Sequence, residues 1–165
     1  MDADQPIPAT VITVSDEIHS GIDGNRAGLL AVELLGRHGI HTELVVVPDD
    51  VERIRAAVHD ARTAGSRLVM TSGGTGIGPT DVTVDAVTPL LSYQVPGIGE
   101  EIRRRGVATV ASALVSREVA GVIRGEPSVF VLTAPGSRGG VRDAIEVIGP
   151  LLAHIVAQLD GAGHF

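Results

Sequence analysis

Cysteine, lysine and tryptophan are absent from this 165-residue chain, and its aromatic residues amount to two phenylalanines and one tyrosine. Without cysteine there are no disulfides, thiolate zinc sites, iron–sulfur ligands or thiol nucleophiles. Without lysine there is no Schiff-base chemistry on a side-chain amine and no G-x-x-x-x-G-K-[ST] phosphate loop. So few aromatics leave almost no platform for stacking single-stranded nucleic acid, and a formal net charge of −7 opposes binding to a polyanion. No segment approaches the roughly 18 apolar residues of a membrane helix, and the acidic amino terminus is unlike a secretory signal. The expectation is a cytoplasmic protein with neither nucleic acid nor membrane as partner. The six histidines form no H-x-x-x-H or H-E-x-x-H pattern, which argues against zinc. What remains for chemistry is carboxylates, hydroxyls, arginines, backbone amides and a bound metal, an inventory that suits phosphoryl or nucleotidyl transfer.

The length and a 44% hydrophobic content suit a single domain over 1–165, with residues 1–6 expected as a flexible tail. An apolar, β-branched run at 7–14 reads as a first core strand. Apolar spacing predicts a helix over 27–38 that stops near Gly39, a strand over 41–47, and a helix from Pro48, Asp49 and Asp50 to about Ala64. A strand at 67–70 follows, then helices over 83–91 and 97–105. Residues 107–124 read as short strands or irregular chain, and 129–133 as a strand. A long final helix over 139–159 should bend or break at Gly149 and Pro150. The β-α-β-α-β order predicts an α/β fold, a mostly parallel sheet with helices on both faces.

Between the strand at 67–70 and the helix at 83–91 lies TSGGTGIGPTDVTVD, residues 71–85. Glycines here allow positive φ and close backbone approach, so several N–H groups can converge on one anion, supplemented by the hydroxyls of Ser72, Thr75 and Thr80. The carboxyl end of a strand in an open α/β sheet is where ligands bind. G-x-G-x-x-G spacing fails at Pro79, so a dinucleotide fingerprint is unsupported. The plain structural alternative is a turn in which Thr83 caps a helix and Asp85 complements its dipole. Asp81 speaks against that alternative, because a carboxylate beside an anion cradle is useful when a cation, such as magnesium, bridges the two.

The pattern as a whole resembles the molybdopterin-binding family of molybdenum cofactor biosynthesis, which includes bacterial molybdopterin adenylyltransferases and a domain of gephyrin. The resemblance runs through Ser72, Gly73, Gly74, Thr75 and Gly76, then Asp81, Val82 and Thr83. It continues in Ser15 and Asp16 after the first strand, PGIGE at 96–100, Ser116 and Arg117, Ala120 and Gly121, and Pro135, Gly136 and Ser137. It implies a three-layer α/β/α sandwich, commonly trimeric, that transfers AMP from Mg-ATP to the terminal phosphate of molybdopterin and releases pyrophosphate. Other proteins of molybdenum cofactor biosynthesis are conceivable partners. On this resemblance Asp81 and Asp49 handle Mg2+ and orient the reacting phosphates, and Gly73, Gly74, Thr75 and Gly76, with Ser72, cradle phosphate. Ser116 and Arg117 hold the pterin phosphate, and Pro135, Gly136 and Ser137 shape the pocket, with Arg138 a further anion contact. Asp16, Asp85 and Glu100 lie in matched segments without an assigned role.

Several positions depart from the family pattern. Val84 stands where relatives carry proline, Glu17 where arginine is frequent, Asn25 in place of aspartate, and Thr133 and Ala134 in a run more often Asn-Leu or Asn-Met. Two readings are therefore carried forward, an adenylyltransferase and a non-catalytic paralogue that binds or carries molybdopterin; an assembly domain ranks behind both. Asp49 has helix capping as its alternative role, and Arg103, Arg104 and Arg105 are expected on a solvated helix face.

Overall fold

The computed structural model describes residues 5–162, so most of the tail expected over 1–6 lies outside the described residues. Six strands form one sheet in the order β2-β1-β3-β6-β5-β4, with β1 Ile7–Val14, β2 Ile40–Val47, β3 Leu68–Ser72, β4 Tyr93–Gln94, β5 Ala120–Ile123 and β6 Val129–Ala134. The β1–β2, β1–β3 and β3–β6 pairings are parallel, and β5 and β4 add an antiparallel edge. The helices are α1 Asp16–His19, α2 Arg26–Gly36, α3 Val51–Thr63, α4 Thr83–Val87, α5 Pro96–Val107, α6 Arg138–Ile148 and α7 Leu152–Leu159.

Alternation along the strands creates two cores. Val11 of β1, Leu68 and Met70 of β3, and Phe130 and Leu132 of β6 pack with α2, α5, α6 and α7. Ile12 and Val14, Val69, and Val129 and Val131 face the other way, against α3 and α4. Strands buried on both faces read as continuous apolar runs, which is why β1, β3 and β6 were visible in sequence. The result is the three-layer α/β/α arrangement.

Several boundaries differ from expectation. The Asn25 side chain accepts from Gly28 N at 3.1 Å, which starts α2 at Arg26. Strand β3 runs on to Ser72 because Thr71 and Ser72 pair with Thr133 and Ala134. The helix expected over 83–91 stops at Val87 and continues as a 3-10 turn over Thr88–Leu90 that contains Pro89. The last helix breaks where Gly149 and Pro150 predicted, into α6, a 3-10 turn Gly149–Leu151, and α7. Residues 107–124 resolve into the end of α5, a 3-10 turn Ala111–Val115 and β5.

Far from the strand ends that carry the motifs, the buried guanidinium of Arg67 donates to Ser128 O at 3.2 Å and makes a bidentate pair with Asp160 at 3.2 and 2.6 Å. That pair ties the end of α7 to the start of β3. It holds the Asp160 carboxyl below the usual carboxylate range.

Candidate functional site

The register places Thr13, Ser72 and Ala134 side by side, so β1, β3 and β6 release their following loops at one rim of the sheet. The loops after β3 and β6 touch directly. Gly73 N donates to Ala134 O at 3.0 Å, and the Ser72 hydroxyl donates to Pro135 O at 3.3 Å. Gly73 and Gly74 both have positive φ, at 107° and 69°. A Cβ on Gly73 would collide with the Val14 carbonyl, and one on Gly74 with the Thr83 hydroxyl. The turn therefore needs glycine twice, for conformation and for space.

Thr83 does not cap α4. Val82 holds the cap position without a side-chain bond, while Thr83 is fully buried over Gly74, accepts no cap N–H, and donates its own N–H to Gly74 O at 3.1 Å. What secures the loop is Arg117. Its Nε donates to Gly76 O at 2.8 Å, Nη2 to Asp81 O at 2.8 Å, and Nη1 and Nη2 to the Asp85 carboxylate at 3.2 Å each. Arg117 N also donates to Thr75 O at 2.8 Å. A guanidinium carries five N–H donors, and four of them are engaged with the loop and the first turn of α4. The expected phosphate contact thus becomes an internal clamp. Its hydrogen bonds hold the Asp85 carboxyl below the ordinary range and give that residue a partner.

The carboxylates of Asp16, Asp49 and Asp81 lie near enough to act on one another. Asp81 Oδ2 accepts from Gly78 N at 2.9 Å, which closes the turn and leaves Oδ1 without a protein donor among the bonds of the described residues. Asp16 and Asp49 bond reciprocally, Asp16 N to Asp49 Oδ2 at 3.1 Å and Asp49 N to Asp16 Oδ1 at 2.9 Å. The helix cap belongs to Asp50, whose Oδ1 accepts from Arg53 N at 2.8 Å, so Asp49 is not consumed by capping. Partial burial pushes the Asp49 carboxyl up, and the negative charges of Asp16, Glu17 and Asp81 push it the same way against the Asp16 N–H bond. Like charges held together in this way would be relieved by a cation. Among the described residues no cluster of three or more His, Cys, Asp or Glu is placed to hold a metal ion, whereas magnesium needs only one or two carboxylates when phosphates and water complete its shell. Asp49 and Asp81 act on one another electrostatically, and two carboxylates have the donor chemistry for that smaller demand.

Beside the loop opens a cavity of about 430 Å³, within the range of small-molecule sites. Thr75, Gly76, Ser116, Pro135 and Ser137 line it, which unites five of the positions singled out in sequence. Ser72, Gly73 and Gly74 form the adjoining loop rather than the wall, and Gly136 lines a neighbouring depression. Ser137 also caps α6, its Oγ accepting from Gly140 N at 3.0 Å. Arg138 is exposed in a depression shared with Arg26 and Arg142, and Glu100 is exposed on α5.

Two further residues were missed. Glu118, 3% exposed, lies at the cavity wall and accepts from the Ser116 hydroxyl. Arg103 is half-buried, contrary to its expected place on a solvated face, and donates to Glu118 O at 3.0 Å and Ser116 O at 3.4 Å. Arg104 and Arg105 do keep to the outer face, paired with Glu101 at 2.7 and 2.9 Å. The available signal was the i, i+2 spacing of Ser116 and Glu118, which puts both on one side of an extended segment.

Residues 10–154 match the family described as "Probable molybdopterin binding domain". The chain is similar to the molybdenum cofactor biosynthesis bifunctional protein of Chlorobaculum tepidum, 36% identical over 159 residues that cover 95% of this chain and 50% of that protein. It therefore spans about half the length of the bifunctional relatives it matches. It is similar along most of both lengths to the molybdopterin adenylyltransferase of Pyrococcus furiosus, at 36% identity over 148 residues, with 88% and 87% covered. Among solved structures, the tungsten cofactor synthesizing protein MoaB from Pyrococcus furiosus superposes with a TM-score of 0.88 at 33% identity, covering 95% of this chain and 99% of that one.

Proposed function

The chain belongs to the molybdopterin-binding domain family of molybdenum cofactor biosynthesis, and from that premise we propose that it adenylylates molybdopterin with Mg-ATP and releases pyrophosphate. The observation that carries this reading is a ligand-sized cavity lined by Thr75 and Gly76 of the same glycine loop that holds Asp81, whose carboxylate, like that of Asp49, is under-partnered. A terminal phosphate is already an ionised nucleophile, so the chain needs no strong base. It has to align that phosphate with the α-phosphate of ATP and offset the charge that builds up between them.

Backbone N–H groups of the turn at Gly74, Thr75 and Gly76 would face the phosphates, while Gly73 N is held by Ala134 O. Arg117 keeps that turn in shape through Gly76 O and Asp81 O. Asp49 and Asp81 would hold Mg2+ together with phosphate oxygens. When bound, the ion neutralises phosphate charge and fixes the leaving pyrophosphate. Ser137 and Pro135 shape the far wall of the cavity. A homotrimer and a cytoplasmic location belong to the same proposal, and among the described residues no helix is long and apolar enough to cross a membrane.

Glu17 and Asn25, which replace the arginine and aspartate frequent in relatives, favour the second reading, a carrier that binds molybdopterin without transferring AMP. The deciding experiment incubates purified protein with molybdopterin, ATP and magnesium and measures pyrophosphate and adenylyl-molybdopterin, with Asp81→Asn alongside. Product from the wild type that is largely lost in the variant supports the transferase. Pterin binding without product, under conditions where an active homologue turns over, supports the carrier.

A further inference from the structure

The hydroxyls on the cavity floor form a chain with a fixed direction. The buried Glu118 carboxylate accepts from Ser116 Oγ and faces Arg103 Nη1 across 3.7 Å. A serine hydroxyl has one hydrogen. With that hydrogen given to Glu118, the 3.0 Å contact between Ser116 Oγ and Thr75 Oγ1 can form only with Thr75 as donor. The single hydroxyl hydrogen of Thr75, a residue 5% exposed, is then spent as well. All three residues line the cavity, yet their hydroxyls have only lone pairs left for an occupant. A phosphate oxygen would meet two acceptors backed by a carboxylate there. An N–H group would be welcomed by both.

We propose that Thr75 and Ser116 form an acceptor-only subsite for an N–H edge of the ligand's heterocycle, with Glu118 as the positioning residue that sets its polarity. This rests on the reading of the cavity as a molybdopterin site, since a pterin carries an exocyclic amino group beside a ring N–H. It reverses the role that resemblance assigned to Ser116, which becomes a receptor for the ring and not for the phosphate. Phosphate is left to the glycine loop, where backbone donors are available. The Ser116 hydroxyl thus marks the pterin end, and Gly74 of the adjoining loop marks the phosphate end.

The test titrates the full chain with pterin and with 4-oxopteridine, the same ring system without the amino group, and runs the adenylylation assay in parallel. The wild type is expected to prefer pterin by about tenfold or more, the scale of hydrogen bonds to a charge-polarised acceptor. In Glu118→Gln the carboxamide can donate as well as accept, so the chain of hydroxyls loses its single direction and the preference should shrink to within about threefold. Thr75→Val deletes one acceptor without disturbing the buried carboxylate, and should also cut the preference by about threefold; it decides the matter should Glu118→Gln fail to fold. A lost side chain with a merely structural role would weaken both ligands equally. No preference in the wild type, or an undiminished one in the folded variants, overturns the proposal and leaves the adenylyltransferase reading standing. Normal product formation with no pterin binding does the same. Neither binding nor product overturns both.

Discussion

The rim and the floor of this site are one loop apart and are built on opposite electrostatic terms. At the rim, Asp16 and Asp49 cross-bond to each other's backbone while their charges, with those of Glu17 and Asp81, work against the Asp49 carboxylate. On the floor, Glu118 is more deeply buried but has Ser116 and Arg103 for partners. Burial is the largest influence that pushes the Asp49 carboxyl up, with its one bond from Asp16 N working against it, whereas Glu118 is buried beside a hydroxyl donor and a guanidinium. An unrelieved charge is useful where a cation and phosphates must bind, and a satisfied one where a cavity must keep a fixed polarity.

The comparison breaks most visibly at Asp81. Asp81→Asn keeps the shape of the turn but removes rim charge, and turnover should fall by at least about a hundredfold, as on loss of one preorganised electrostatic group. Unchanged turnover would take Asp81 out of the phosphate and metal site. Arg117→Ala removes the clamp between the two regions, leaving Gly76 O and Asp81 O without their donor. The expected loss is about 2 kcal/mol of stability, read by denaturant unfolding, together with at least a tenfold fall in kcat/KM from a misplaced loop. Arg117→Lys should not rescue it, because one ammonium cannot reproduce a planar fork. Part of the clamp depends on pH: the Asp85 carboxyl titrates below its ordinary range, so its contribution is complete above that range and fades as pH falls through the lowered value.

Asp160→Ala serves as a control distant from the site. It strands the buried Arg67 guanidinium and should cost about 1–2 kcal/mol in unfolding experiments, with kcat/KM unchanged. The smallest expected effect is at Asp49. Its carboxyl is raised, so the protonated form suits the fold better. Stability from that form is complete below the ordinary aspartate range and is lost as pH rises through the raised value. Thermal melts should show Asp49→Asn level with the wild type in acid and more stable near neutrality, while turnover declines. A variant that is less stable near neutrality would show that the bond from Asp16 N outweighs the repulsion.

Much of the architecture could be read from the chain because β1, β3 and β6 are buried on both faces and stand out as apolar runs, while Gly39, Gly65, Gly149 and Pro150 punctuate the helices. Strand β4 was hidden, and β5 was read only as short strand or irregular chain within 107–124, for a physical reason. They are two and four residues long, and β4 exists only through its ladder with β5. The glycine turn was legible because its residue types are demanded locally, by φ and by the space under Val14 and Thr83. The cavity floor was not, since Thr75, Arg103, Ser116 and Glu118 come from three stretches of chain that only the tertiary fold brings together. Asp49 had helix capping as its alternative role until backbone geometry gave that role to Asp50.

The Arg117 clamp also bears on how fast a ligand can be taken up. Its bonds to Gly76, Asp81 and Asp85 are part of the fold, so the entropy of ordering the turn is lost when the protein folds and need not be lost at each binding event. On the proposed reading a phosphate would meet a formed cradle, and encounter would set the pace of association.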